Sequence, residues 1–290
     1  MVMSENRMKA ALTGVILILM PFLNSRSAAI EPIRLTEPLL TESSGLAFSN
    51  RRVKTVWTHN DSGGRPELFA FDSVGKRLAR QPFAAIKQAT DWEDIASFVD
   101  GDCPRLLIAD CGDNDGNRAS IQIYLLDEPD PSLQTSEVNL QTLRVTYPDG
   151  PRDCEAVAVD IRRRLIVLIT KSVLPMSGVY TIPLPAREDQ AKPQTIEVTA
   201  TRIRTLPIPM VTAADFDPAT GDLWVINYFQ AFRFNRMDAA LTHQLTALPI
   251  AMDLPKLRQI EAMAVDRDGA VWVTSEGNPA LMQMIETPKP

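Results

Sequence analysis

The stretch Cys154–Ser172, CEAVAVDIRRRLIVLITKS, decides the fold of this chain. Its first half alternates small and apolar residues and ends at Asp160, an arginine-rich turn follows, and the second half, LIVLIT, is more apolar. Period-two alternation bounded by turn residues is typical of antiparallel strands. The stretch therefore predicts two paired strands, and it is short enough to be one part of a repeat.

Four further copies of this pattern occur along the chain. They are Ser44–Asp61, Trp92–Asp113, Thr212–Phe229 and Ile260–Gly277. Aligned on a small or acidic residue in mid-strand, successive copies are 49 to 62 residues apart; the aligned residues are Ala47, Ala96, Ala158, Asp215 and Ala264. A third β-like run follows each copy, and a fourth follows four of them. Four-stranded repeats of about 50 residues are typical of β-propeller blades.

The sequence therefore predicts an all-β chain forming a single β-propeller of five four-stranded blades. The fifth repeat has no fourth strand, but the segment EPIRLTEPLL at 31–40 provides a spare one. We expect Ile33 to Leu39 to pair beside ALMQMIE at 280–286, which closes the ring and removes exposed strand edges. The alternative is a six-bladed ring, which needs a further blade within residues 127–150 or 184–210.

Residues 1–29 resemble a secretory signal peptide, with Arg7 and Lys9, an apolar run and a small-residue end. The alternative, a membrane anchor, is disfavoured because the run is shorter than the roughly 20 residues needed to span a bilayer. We therefore expect export to the periplasm or outside the cell, a propeller at 30–290, and no transmembrane segment after cleavage. The remaining chain has 27 basic and 35 acidic residues. This acidic balance disfavours nucleic acid and anionic membranes as partners.

Three cysteines remain, and their odd number excludes a fully paired disulfide framework. Cys103 and Cys111 could pair across a hairpin in an oxidising compartment. The alternative is that these residues and Cys154 are free, buried thiols. The Cys and His spacing indicates no zinc site.

A polar ring is predicted at one mouth of the propeller channel. Three residues before the aligned position, the five copies carry Ser44, Glu93, Glu155, Thr212 and Glu261. The ends of the second strands add Asp110 and Asp113 on the same face. Carboxylate and hydroxyl oxygens suit Ca²⁺ or Mg²⁺ better than zinc or copper. The predicted metal ligands are Glu93, Glu155, Glu261, Asp110 and Asp113, although each carboxylate could instead bond backbone amides of a neighbouring blade.

Other residues near the mouth are candidates for catalysis or substrate binding. Glu93 and Glu155 are candidate bases, as is His59, although HNDSGG at 59–64 has the composition of a tight turn. Lys171 and Arg118 could hold an anionic substrate, or serve as salt-bridge partners of the acidic residues. Trp92, next to Glu93, could line the mouth, whereas the other tryptophans are expected in the core.

An ordered series of short motifs runs through the chain: HNDSG, L-x-A-x-D, DWEDIA, GDN…R…I-x-I-Y…EP, YPDG…D-x-EA, TK and TAAD. They lie at 59–63, 68–72, 91–96, 112–129, 147–156, 170–171 and 212–215. This series resembles a group of exported bacterial β-propeller proteins and, more distantly, calcium-dependent propeller phytases and metal-dependent propeller lactonases. The resemblance implies a divalent ion near the channel. The chain lacks the rich basic cluster with which the phytases bind phosphate.

Two functions are therefore expected. The first is a cation-dependent hydrolase of small esters, lactones or phosphoesters, acting as a monomer on a small-molecule substrate. The second is a non-enzymatic binding or scaffolding propeller that recognises a protein, peptide or glycan of the cell envelope. A cation with an open coordination position would favour the enzyme, and a flat, plugged face would favour the binding protein.

Overall fold

The computed structural model describes residues 31–133, 138–188 and 194–287, so the predicted signal peptide lies outside the described residues. Five antiparallel blades form a ring, in which the innermost strand of each blade packs against those of its two neighbours. Within the described ranges the only α-helix is α1 (Leu241–Gln244), and none of those residues forms a helix able to span a membrane. The five-bladed propeller is confirmed.

The strands follow the repeat along the chain. Strand β1 (Ile33–Leu35) belongs to the last blade. Blade 1 contains β2 (Ser43–Phe48), β3 (Thr55–Asn60), β4 (Glu67–Asp72) and β5 (Arg77–Pro82). Blade 2 contains β6 (Trp92–Asp100), β7 (Cys103–Asp110), β8 (Ile121–Asp127) and β9 (Leu140–Thr146). Blade 3 contains β10 (Cys154–Asp160), β11 (Leu165–Thr170) and β12 (Ser177–Pro183); β13 (Gln194–Thr199) follows, and β14 (Thr201–Leu206) completes the blade.

The last two blades contain the remaining strands. Blade 4 consists of β15 (Val211–Phe216), β16 (Leu223–Asn227), β17 (Gln230–Phe234) and β18 (Ile250–Asp253). Blade 5 consists of β19 (Ile260–Val265), β20 (Val271–Ser275) and β21 (Ala280–Met284), with β1 as its outermost strand. The core is divided in the same way, because each of five apolar clusters joins residues of two adjacent blades.

The two ends of the chain close the ring as expected. Ile33 pairs with Met282 and Leu35 pairs with Ala280, both antiparallel. The pairing is shorter than predicted, because the chain turns after Thr36, where Leu40 N donates a hydrogen bond to Glu37 O. Leu35 is fully buried, so the closing strand is anchored by packing as well as by its backbone bonds.

The described parts of 184–210, which are 184–188 and 194–210, form no sixth blade. After β12 the chain returns to blade 2, where β13 runs parallel to β9 as a fifth, outermost strand, and it then re-enters blade 3 as β14. Of the other stretch that the six-bladed alternative needed, residues 140–146 are the fourth strand of blade 2. Both stretches are therefore used within existing blades.

Of the two alternatives left open for Cys103 and Cys111, the structure excludes the disulfide. Cys103 begins β7 and Cys111 follows its last residue, so the two lie at opposite ends of one strand. Eight residues of strand span about 26 Å, whereas disulfide-bonded Cα atoms lie no more than about 7 Å apart. All three cysteines are free, and Cys111 and Cys154 are buried.

A β-bulge recurs at the start of every innermost strand. In each pairing of the first and second strands, one residue is skipped by the register: Ser44, Glu93, Glu155, Thr212 and Glu261. These are the five residues of the predicted ring. A bulge leaves its extra residue without a ladder partner and redirects the strand locally. We call the channel opening next to these residues the acidic mouth.

Behind the acidic mouth, two carboxylates join the innermost strands of neighbouring blades. Asp94, which has no exposed surface, accepts hydrogen bonds from Ile95 N at 2.9 Å and from Val157 N of blade 3 at 2.8 Å. Asp215 accepts them from Phe216 N at 2.8 Å and Val265 N of blade 5 at 2.9 Å. Such bonds satisfy polar groups that would otherwise be buried without partners.

Candidate functional site

Three carboxylates converge at the acidic mouth. Asp61 follows the end of β3, Asp91 immediately precedes β6, and Glu93 is the bulged residue of β6. One oxygen of each lies within 4.8 Å of the others. Two ligands of one Ca²⁺, each about 2.4 Å from the ion, can be at most about 4.8 Å apart. The three carboxylates are therefore close enough to share one calcium-sized ion.

Gly112 makes this approach of carboxylates possible. A Cβ atom at this position would overlap Glu93 Oε1 and Asp91 Oδ2. The Gly112 amide also donates to Asp91 O at 3.2 Å, which fixes the loop after β7 against the start of β6. A residue with no side chain is needed where backbone comes so close to side chains.

The electrostatics of the triad favour a bound proton or cation. Burial, then the charges of Glu155, Asp61 and Asp91, raise the pKa of Glu93 well above its ordinary value. Burial and the charge of Asp91 raise the pKa of Asp61 to about 6. Burial likewise raises the pKa of Asp91, although Arg118 opposes this shift. A cation among the three would replace the protons and offset the repulsion.

Glu155 forms a salt bridge, whereas the three carboxylates of the triad form none with any residue that the structure describes. Lys171, just after β11, donates to Glu155 Oε1 at 2.9 Å. Burial nevertheless raises the pKa of Glu155 to about 7, because desolvation outweighs the attraction of Lys171. Lys171 Nζ also lies 5.6 Å from the centre of the Tyr228 ring. A carboxylate with a pKa near neutrality is well suited to accept and return protons at neutral pH.

Glu261 belongs to a third, separate group. Its Oε1 accepts a hydrogen bond from Tyr228 Oη at 3.1 Å. Burial, followed by a hydrogen bond and charge repulsion from Glu276, raises the pKa of Glu261 to about 8. With a pKa of about 8, Glu261 holds its proton at neutral pH. The structure thus distributes the three ring glutamates among three different sets of partners.

Asp110 and Asp113 organise a loop and lie outside the triad. Asp110 accepts hydrogen bonds from the amides of residues 90 and 91 and from Arg118 Nη2 at 2.8 Å. Asp113 accepts from Asn117 N at 2.9 Å and Arg118 N at 3.0 Å. The Arg118 guanidinium also donates to Gly112 O at 2.7 Å. Loop structure accounts for all these groups, so we assign neither a metal to the two aspartates nor a substrate to Arg118.

His59 and Trp92 are core residues. His59 lies within β3, not in a turn, and has no exposed surface. Its ring contacts the indole of Trp92 edge-on, with 5.5 Å between ring centres, and Trp92 is also fully buried. Burial lowers the pKa of His59 to about 4, so the imidazole is neutral near pH 7. Neither side chain lines the acidic mouth.

Four residues of the site were absent from the predicted ligand set. They are Asp61, Asp91, Tyr228 and Glu276. Asp61, Tyr228 and Glu276 each follow the second strand of a blade, and Asp91 precedes the first strand of blade 2. Their place in the repeat was visible in the sequence, because every blade brings these two positions to the same face. Which of them meet could not be deduced, since that depends on loop conformation.

Comparisons with known proteins agree with the fold. No family model matches the chain, and no curated protein matches it in sequence. Two solved structures of glucose dehydrogenase align over 89% of this chain and 100% of theirs, at TM-scores of 0.53 and 0.52 and identities of 10% and 11%. A gluconolactonase from Xanthomonas campestris aligns over 89% and 96%, at 13% identity and a TM-score of 0.48. At identities of 10% and 11%, the two glucose dehydrogenase structures show a similarity of fold and no activity.

Proposed function

We propose that the acidic mouth binds one divalent cation on Asp61, Asp91 and Glu93 and hydrolyses a small ester, lactone or phosphoester. The observation that carries this proposal is the convergence of three carboxylates within one coordination shell. Glu155, with a pKa of about 7, lies close enough for its charge to act on Glu93. Groups with shifted pKa values that converge in this way are typical of functional sites.

We propose Ca²⁺ as the first candidate, because it accepts irregular arrangements of about six to eight oxygen ligands, whereas Mg²⁺ demands near-ideal octahedral geometry. The three carboxylate oxygens lie within 4.8 Å of one another, and the triad forms no salt bridge with any residue that the structure describes. Three such carboxylates favour a strongly charged hard cation. When bound, the ion would polarise a carbonyl or phosphoryl oxygen of the substrate.

The chain's own residues supply the proton transfers in this proposal. Glu155 takes a proton from the attacking water and returns it to the leaving oxygen. Lys171 holds Glu155 in place at 2.9 Å, and its remaining hydrogens are available to the negative charge that develops on the substrate. Tyr228, which donates a hydrogen bond to Glu261 at 3.1 Å, lies beside Lys171, with 5.6 Å between Lys171 Nζ and the ring centre.

The proposal is tested by measuring binding and hydrolysis separately. Chelated protein is titrated with Ca²⁺ and with Mg²⁺ by calorimetry, and hydrolysis of p-nitrophenyl acetate, δ-valerolactone and p-nitrophenyl phosphate is then followed. Glu155→Gln should bind Ca²⁺ but lose at least 100-fold in hydrolysis rate, whereas Glu93→Gln should lose both. Glu197→Gln, an exposed strand residue, is the matched control. Calcium-independent hydrolysis, or full activity of Glu155→Gln, would overturn the assignment.

A binding or scaffolding role is the second candidate, and one observation favours it. Val173, Leu174 and Met176 in the loop after β11, together with Phe229 after β16, are all more than half exposed on the acidic-mouth side of blades 3 and 4. An exposed apolar patch beside a polar site is typical of a recognition surface. Calcium binding without hydrolysis of any of the three probe classes would favour this function over the first.

We further propose that the protein acts as an exported monomer. The signal-like N-terminus supports export, and calcium sites of extracellular modules commonly work at about 0.1 to 1 mM Ca²⁺. Cell fractionation with an antibody, and sedimentation of the purified protein, test location and oligomeric state. Recovery of the full-length protein from the cytosolic fraction would contradict export. Sedimentation of the purified protein as a stable dimer would contradict the monomer.

A further inference from the structure

A second cavity, of about 280 Å³, lies at the opposite end of the channel. Its wall includes, from every blade, the residue that follows the aligned mid-strand position: Phe48, Ser97, Val159, Phe216 and Val265. These residues lie at or near the ends of the innermost strands, so the cavity is on the propeller axis and faces away from the acidic mouth. We call it the distal cavity.

One carboxylate breaks the symmetry of the distal cavity. At the aligned position four blades have alanine, all of them buried, whereas blade 4 has Asp215. Asp215 lines the cavity and retains some exposed surface. Each of its oxygens accepts one backbone N–H, from Phe216 and from Val265, which fixes the carboxylate and leaves further acceptor capacity.

The charges around Asp215 leave it without a cation. Within the described residues it forms no ion pair, and burial, together with the charge of its acidic neighbour Asp217, raises its pKa. Asp160, also in the wall, is paired with Arg163. Arg162 at the rim donates to backbone carbonyls of residues 218–220 and so is already bonded.

We infer that the distal cavity binds a small organic ammonium ion, a primary amine with one positive charge and an apolar body. Its volume holds roughly nine non-hydrogen atoms, at about 30 Å³ for each water-sized group. The ammonium group would donate to Asp215, forming a charge-assisted hydrogen bond away from bulk water. The apolar body would pack against Phe48, Phe98 and Phe216.

The same wall predicts which molecules are rejected. A carboxylate ligand would meet Asp215 at the base of the cavity and be repelled. A diamine would carry its second charge toward Arg162 and Arg267 at the rim. An alcohol of the same shape would fit but lack the charge.

Calorimetry with the full chain in saturating Ca²⁺ at pH 8 tests this inference. The probes are benzylamine, benzyl alcohol, benzoate and 1,4-diaminobutane. Benzylamine should bind with a Kd below 1 mM and at least tenfold more tightly than each of the other three. Absence of benzylamine binding up to 10 mM, or equal binding of benzylamine and benzyl alcohol, would overturn the inference.

Variants locate the binding. Asp215→Asn should weaken benzylamine binding at least tenfold. Because that change also disturbs two backbone hydrogen bonds, Ser97→Trp provides a second test that fills the cavity and leaves Asp215 intact. Glu93→Gln, at the other mouth, should leave benzylamine binding unchanged, so failure here is distinct from failure of the calcium proposal. Binding that survives both distal changes in folded protein would place the amine elsewhere.

Discussion

Glu93, Glu155 and Glu261 occupy one position of the repeat, yet each has different partners. Glu93 faces two aspartates, Glu155 is paired with Lys171, and Glu261 contacts Tyr228 and Glu276. The backbone bulge fixes where each side chain starts, while loops from adjacent positions decide what it meets. Equivalent positions in a repeat therefore have different chemistry when the loops around them differ.

The first prediction concerns Glu93. Ca²⁺ at 100 times its Kd should raise the free energy of unfolding of the wild type by about 2.7 kcal/mol. Glu93→Gln keeps the shape of the side chain but removes its charge, so this gain should fall below about 1 kcal/mol. Urea unfolding with chelator and with Ca²⁺ measures both values. Glu197→Gln should retain the full gain, and an undiminished gain in Glu93→Gln would exclude Glu93 as a ligand.

Gly112→Ala is the second prediction. The added methyl group overlaps Glu93 Oε1 and Asp91 Oδ2, so the carboxylates must separate. We expect calcium affinity to fall at least tenfold, measured by calorimetry. Gly101→Ala is a glycine control in the β6–β7 turn at the other end of the blade, with open space around its Cβ. It should cost some stability because of its positive φ, but leave calcium affinity as in the wild type.

For single residues, the sequence predicted where a side chain lies in a blade better than it predicted which side chains it contacts. The alignment placed Glu93 at the mouth because equivalent residues of a repeat have the same backbone geometry. It could not show that Asp110 and Asp113 accept hydrogen bonds from the loop ending at Arg118. Accepting these hydrogen bonds and binding a metal both require carboxylate oxygens, so the sequence does not distinguish the two roles. His59 and Trp92 were similarly ambiguous, since a polar aromatic next to charged residues is compatible with either core or mouth.

Among the elements, β1 has the clearest energetic role. It covers the edge of blade 5, and Leu35 fills the core between blades 5 and 1. The sequence predicted this strand because the fifth repeat lacked its own fourth strand. By contrast, β13 was not predicted, because its parallel partner β9 is more than 45 residues earlier and no local pattern specifies that pairing.

The third prediction tests this closure. Leu35→Ala removes a fully buried side chain and should lower the free energy of unfolding by about 2 to 5 kcal/mol. Leu39→Ala, four residues later at a half-exposed position, is the matched control and should change it by less than about 0.5 kcal/mol. Denaturant unfolding measures both. Equal small effects would mean that β1 contributes little to the ring.

On the scale of the whole molecule, stability should depend on pH in an unusual direction. Several carboxylates have pKa values raised by burial: Asp61 to about 6, Glu155 and Asp215 to about 7, and Glu261 to about 8. These groups bind protons more tightly in the folded state than in the unfolded state, where carboxyl pKa values are near 4. Their contribution to stability is therefore complete below about pH 4 and is lost as pH rises through 6 to 8.

The fourth prediction follows from this loss of stability with rising pH. In chelator, the Tm should fall between pH 5 and pH 8. Added Ca²⁺ should raise the Tm more at pH 8 than at pH 5, because the ion replaces protons on the triad. Asp215→Asn should reduce the fall in chelator without removing the calcium effect. A Tm that rises from pH 5 to pH 8 in chelator would contradict these pKa shifts.

The pairing of Ile33 with Met282 has a consequence for the order of events during synthesis. Strand β1 must wait for its partner β21, which is synthesised much later. At about 5 to 20 residues per second, a ribosome needs roughly 12 to 50 s to produce the chain between them. During that time four blades can assemble, but blade 5 has an open edge and Leu35 has no pocket. We therefore expect nascent chains truncated before Ala280 to remain sensitive to protease, whereas chains that include β21 should resist it.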